Sequence, residues 1–202
     1  MQAVMSDLTR RLKTVLAPLR RSEERQAIKA AVAYATEENA NQDQFRYRVL
    51  GAELSIEKPP KRGAVPQRLI RVLIADYSAQ RILDISVDHK GKVMQSEVLS
   101  GQQPAFHPDE IREAREIAER DRRVASAAKQ AGAFASAFAA DLGRESGRRT
   151  VGLHYLAAIQ SGGARPLVTV AVDLCGGEIV AFRDDRGASD KKNGATQAEG
   201  GR

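Results

Sequence analysis

Tryptophan is absent from the 202-residue chain and aromatic residues make up only 4% of it. A buried core must therefore be assembled from Val, Ile, Leu and Ala rather than from large rings. The one cysteine, Cys175, cannot form an internal disulfide, so nothing calls for an oxidising compartment. Histidines are equally scarce: His89, His107 and His154 stand alone, and no two have the i,i+2 or i,i+4 spacing that brings two imidazoles onto one metal. No apolar run approaches the ~18 residues of a membrane-spanning helix. "TRRLK" (9–13) faintly suggests a twin-arginine export signal, but "TVLAPL" is too short for its apolar region, and a cytoplasmic location is expected.

Charge is plentiful, with a net +6 and an isoelectric point near 9.7. The basic residues alternate with acids, as in "RRSEER" and "EIREAREIAERDRR", a pattern of solvated helix faces rather than of a phosphate-binding stripe. Basic patches interleaved with aromatics are missing, so no nucleic-acid partner is expected. "SGGARP" (161–166) joins two strands, whereas a phosphate loop joins a strand to a helix. Cys175 reads as a small turn residue, and Asp76, Asp84 and Asp88 as sheet-face carboxylates. No nucleophile stands with a base, and no residue is assigned a catalytic, cofactor-binding or metal-binding role.

Periodicity organises the chain. Leu8, Leu12, Val15, Leu16 and Leu19 recur at helical spacing up to a break at Pro18. A second helix follows, with Ser22 as its N-cap and Ala27, Ile28, Ala31, Val32 and Ala35 on one side. Strands are expected at 45–54, 68–77, 81–89 and 92–99. In the third, Leu83, Ile85 and Val87 alternate with Asp84, Ser86 and Asp88, as in an antiparallel sheet with one wet face. The first, "FRYRVLGAEL", is the better edge candidate; such edges invite self-pairing, so a homo-oligomer is expected. Pro108, Asp109 and Glu110 suit the first turn of a helix expected to run to Gly143. Within it, Glu116/Arg120 and Glu119/Arg123 form i,i+4 pairs, and Phe134 and Phe138 are core anchors. Strands return at 150–160, 166–174 and 177–182.

The order is therefore a repeat of helix and meander. "SVDHKGKV" (86–93) and "AVDLCGGEI" (171–179) both end a strand in Val-Asp and turn through glycine. In each, the Asp is expected to accept turn N–H groups and the Gly to supply φ > 0. Two α+β units follow, 1–103 and 104–183, with "GQQPAFHP" (101–108) as the hinge and 184–202 as a disordered tail.

The middle stretch resembles the second and third N-terminal domains of copper amine oxidases. The resemblance lies in Val87-Asp88, in Gly101, Gln103 and Pro104 of a G-x-Q-P segment, and in Glu110 with Ala114. It implies two tandem cystatin-like units, each a helix on an antiparallel sheet. Tyr34, Tyr47, Tyr77 and Tyr155 all lack the setting of a topaquinone precursor, the His-x-His copper motif is absent, and no cofactor is implied. The expectation is a non-catalytic interaction module, an accessory subunit of a separately encoded amine oxidase-like chain. The alternative is a small-ligand-binding module acting as a homo-oligomer, with small residues such as Gly152 and Ala171 facing its pocket.

Overall fold

Helix and strand alternate in the same order twice along the chain. The computed structural model describes residues 12–40, 45–57, 66–100, 103–130, 133–140, 148–159 and 162–186. The chain divides into two compact units, Met1–Gln102 and Gln103–Arg202. In the first, helix α1 (Arg21–Glu38) precedes strands β1 (Tyr47–Glu57), β2 (Gln67–Asp76), β3 (Arg81–Asp88) and β4 (Val93–Leu99). In the second, helices α2 (Pro108–Ala118) and α3 (Arg122–Ala128) precede β5 (Ala133–Ala139), β6 (Thr150–Ala158), β7 (Ala164–Asp173) and β8 (Glu178–Asp184). Both sheets are four-stranded antiparallel meanders, ordered β1-β2-β3-β4 and β5-β6-β7-β8. "FRYRVLGAEL" is thus an edge strand, as expected. No helix among the described residues is long and apolar enough to cross a membrane.

Each sheet buries the face that its alternation marks. In the first unit Ala27, Ala31 and Ala35, one helical turn apart, meet Ile70, Val72 and Ile74 of β2 and Leu83, Ile85 and Val87 of β3. Alanine on the helix lets its backbone approach the branched side chains closely, which is how a core forms without tryptophan. In the second unit Ala114, Ala118, Val124 and Ala127 are buried on the helices; Val151, Leu153 and Tyr155 are buried on β6, and Val168, Val170 and Val172 on β7.

The two Val-Asp turns form as expected. The Asp88 carboxylate accepts the N–H groups of Lys90 and Lys92 at 2.8 and 2.9 Å, and Asp173 accepts that of Cys175 at 2.9 Å. Gly91 and Gly177 take φ of 82° and 69°. Only glycine adopts that region without a Cβ clash.

Several expectations are corrected. The helix through Gly143 stops at Ala118, resumes over Arg122–Ala128, and gives way to strand β5. Phe134 and Phe138 are therefore strand residues, and Phe134 is 49% exposed rather than a core anchor. Spacing of four is common to periods 2 and 3.6, and pairing along β6 settles the matter in favour of the strand. The break also separates both predicted i,i+4 pairs; Arg123 turns to Asp121 at 2.6 Å, and Arg115 lies 3.7 Å from Glu119. Ser22 is inside α1, whose N-cap is Arg20. Asp84 does lie on the outer face, as its alternation predicts, but its carboxylate is buried there beneath Arg71, at 2.5 Å. The tail expected from Asp184 begins with ordered residues, since Asp184 ends β8 and Asp185 is buried. Residues 187–202, like Leu8 of the first helix pattern, lie outside the described residues.

Candidate interaction surface

An arginine clamp fixes the entry to each unit. Arg149, just ahead of β6, is 1% exposed and grips Glu110, which is fully buried, through Nε at 2.7 Å and Nη2 at 2.8 Å. The same guanidinium donates to the carbonyls of Pro104 and Ala105 at 2.6 and 2.9 Å and lies 4.2 Å from the Phe106 ring centre. Glu110 in turn accepts the backbone N–H of His107 at 2.8 Å, which caps α2. Each of the three guanidinium nitrogens and both carboxylate oxygens thereby has a partner, as burial of an ion pair requires. The first unit repeats the device. Arg68 of β2 donates to the carbonyls of Val15, Ala17 and Pro18 and to Glu23 at 3.1 Å, while Glu23 accepts the N–H of Arg20 at 2.9 Å. That hydrogen bond helps hold the Glu23 carboxyl below its ordinary range, against the opposing effect of desolvation.

The expected hinge is therefore corrected from Gln103 onward. Gln103 donates to the Arg148 carbonyl at 2.5 Å, and residues 104–106 are gripped by Arg149, so this stretch is part of the second unit. Gly101 and Gln102 lie outside the described residues.

The histidines remain apart. His89 is exposed beside the β3–β4 turn, and His107 caps α2 with Nδ1 accepting the Asp109 N–H at 3.2 Å. Cys175 is a turn residue, as expected. Asp76 is buried and ties the β2–β3 turn through Ala79 N–H and Arg81, both at 3.0 Å. Among the described residues no group of three His, Cys, Asp or Glu side chains could hold a metal ion.

His154 belongs to a different arrangement, on the outer face of the second sheet. The register places Phe138, Gly152, Ala171 and Ala181 in one cross-strand row. The next row holds Ser136, His154, Thr169 and Arg183. Phe138 lies flat over Gly152, where a Cβ would come within 2.3 Å of its ring, and stacks on His154 at 4.3 Å between centroids. Thr169 donates its only hydroxyl proton to Asp185 at 2.5 Å, so the 2.9 Å contact with His154 must come from a protonated Nδ1. Burial pushes Asp185 up, but the hydrogen bonds from Thr169 and Arg183 outweigh it and hold the carboxyl below its ordinary 3.8. A shallow depression of about 280 Å³ lies here, lined by Phe138, Ala171, Ala181 and Arg183 among others. Gly152 and Ala171 do come together, but on the outer face and not between helix and sheet, and Phe138 fills the space above the glycine.

The equivalent face of the first sheet is closed by charge. Arg71 bridges Asp84 at 2.5 Å and Glu53 at 3.0 Å, and Glu97 stands opposite Asp84 on β4. The two carboxylates, Asp84 first, push the Arg71 guanidinium further up.

A second concavity, about 370 Å³, lies beside α2, α3 and β5, lined by Arg115, Glu119, Ala125, Ala128, Lys129 and Tyr155. Burial, then the Glu119 carboxylate, pushes the Tyr155 hydroxyl up, so it stays protonated and donates to Glu119 at 3.3 Å.

No protein-family model matches this chain, and no curated protein matches it.

Proposed function

We propose that this protein is a non-catalytic, cytoplasmic interaction module of two cystatin-like units that docks a partner on the outer face of β5–β8. One observation carries the reading: the same architecture occurs twice, and only the second outer face pairs a ring laid over a glycine with small apolar neighbours. A face of that kind loses little on desolvation. The fixed His154–Thr169–Asp185 chain beside it supplies directional polar contacts. In the first unit a docking partner would have to displace the Glu53–Arg71–Asp84 bridges. The partner class, an amine oxidase-like catalytic chain, rests on the sequence resemblance around Val87–Ala114.

The test is affinity capture of the tagged full chain from its native cell extract, alongside Ala181→Glu, which puts a charge on the exposed edge of this face. A large catalytic chain recovered in stoichiometric amount by the wild type and lost with Ala181→Glu is expected. Recovery of the protein alone would sink the reading.

The cleft beside α2 and α3 favours a second reading, a small-ligand module. Its size suits a small molecule, and Arg115 and Lys129 favour a carboxylate or another small anion. Calorimetric titration with short-chain carboxylates against Lys129→Ala separates the two readings.

A further inference from the structure

Among the described strands, β5 carries the least protected sheet edge. Four of the described strands are edges: β1, β4, β5 and β8. Natural sheets guard such edges with charge, because unpaired N–H and C=O groups template further pairing. β1 carries Arg48, Glu53 and Glu57; β4 carries Glu97; β8 carries Glu178, Arg183 and Asp184. β5, Ala-Phe-Ala-Ser-Ala-Phe-Ala over Ala133–Ala139, carries neither charge nor proline. It also leaves Phe134 49% exposed, while Phe138 is stacked on His154.

The strand reads the same in both directions about Ser136. A two-fold, antiparallel pairing of two identical strands sets each residue opposite its mirror position, which is the condition for a closed isologous interface. Centred on Ser136, that pairing sets Phe134 against Phe138 of the other copy, Ala135 against Ala137, and Ser136 against Ser136. Phe134, Ser136 and Phe138 share the outer face through Leu156, His154 and Gly152. Each exposed Phe134 thereby gains an aromatic neighbour, and only alanines meet on the inner side. No like charges oppose one another.

We propose that a second copy of this chain pairs along β5, joining two four-stranded sheets into one continuous sheet of twice the width about a two-fold axis at Ser136. The inference does not rest on the partner-docking reading, since the backbone pairing uses the edge of β5, although its Phe134–Phe138 contacts border the outer face. It leaves the Gly152, Ala171 and Ala181 row of the outer face side by side in the two copies.

Sedimentation equilibrium of the full chain tests it. The expected mass at tens of micromolar is twice the 22.0 kDa of the chain. Ser136→Lys and Ser136→Glu each place two like charges opposite one another at the axis and should weaken the dimer by about tenfold or more. Mixing the two variants pairs Lys with Glu and should restore it. Ser136 is exposed, and unchanged circular dichroism and unfolding midpoints exclude a folding defect. Hydrogen exchange of the wild type gives an independent reading, because β5 amides should become protected as concentration rises. A wild type that stays monomeric, single variants that dimerise undiminished, or a mixture that fails to recover would each overturn the proposal. So would β5 exchange independent of concentration.

Discussion

Arg149 and Glu110 stand 39 residues apart in sequence and share two hydrogen bonds, at 2.7 and 2.8 Å, with neither side chain open to solvent. Removing one partner strands the other charge, so Glu110→Ala should cost about 3–5 kcal/mol of stability. The Glu23 side chain of the first unit's clamp is 26% exposed, and water can replace the lost partner there. Glu23→Ala should therefore cost distinctly less. Urea unfolding of the two variants checks the order, and an equal loss would contradict the burial argument.

The Val-Asp turn predicts an acid dependence. Backbone hydrogen bonds, from Lys92 first, hold the Asp88 carboxyl below its ordinary 3.8 despite some opposing desolvation. A depressed folded value means that the unfolded chain takes up the proton first. The contribution is thus fully present above about pH 5 and is lost as pH falls through 3.8 toward the lower folded value. Asp88→Asn retains an acceptor oxygen but no charge. The stability gap between wild type and Asp88→Asn should narrow between about pH 5 and pH 3. A constant gap would show that the charge contributes nothing.

That turn was legible because its chemistry is local: a carboxylate two and four residues from the N–H groups it binds, and a glycine where φ is positive. The buried face of α1 was legible for the same reason, since Ala27, Ala31 and Ala35 carry the period themselves. The clamps were not, because Arg68 meets Glu23 across 45 residues and no periodicity encodes such a meeting. The available signal was a pattern occurring twice, an arginine at the head of the second strand and a glutamate in the first helical turn. β5 was missed because alanine favours helix and the two phenylalanines fit either period. Gly152, opposite Phe138, was the hint that a ring lies flat on a neighbouring strand.

Val87 and Val172 occupy corresponding places ahead of the two turns, and both are fully buried. Aspartate at either position puts an unpaired charge into an apolar core. Val87→Asp and Val172→Asp should each unfold or aggregate the protein. A soluble variant with unchanged melting would show that the side chain can reach solvent.

The Phe138–Gly152 contact makes a coupled prediction. A Cβ on residue 152 would lie 2.3 Å from the Phe138 ring, so Gly152→Ala must lift the ring off the strand and break its stack on His154. Overpacking of this kind costs about 1–3 kcal/mol. In a Phe138→Ala background the obstruction is gone, and alanine suits a strand better than glycine. Gly152→Ala should then be neutral or slightly stabilising. Urea unfolding of wild type, both single variants and the double variant measures the coupling, expected at about 1–3 kcal/mol. Additive effects would mean that Phe138 leaves the glycine at no cost, and the outer face would then lack the fixed ring on which the proposed docking reading depends.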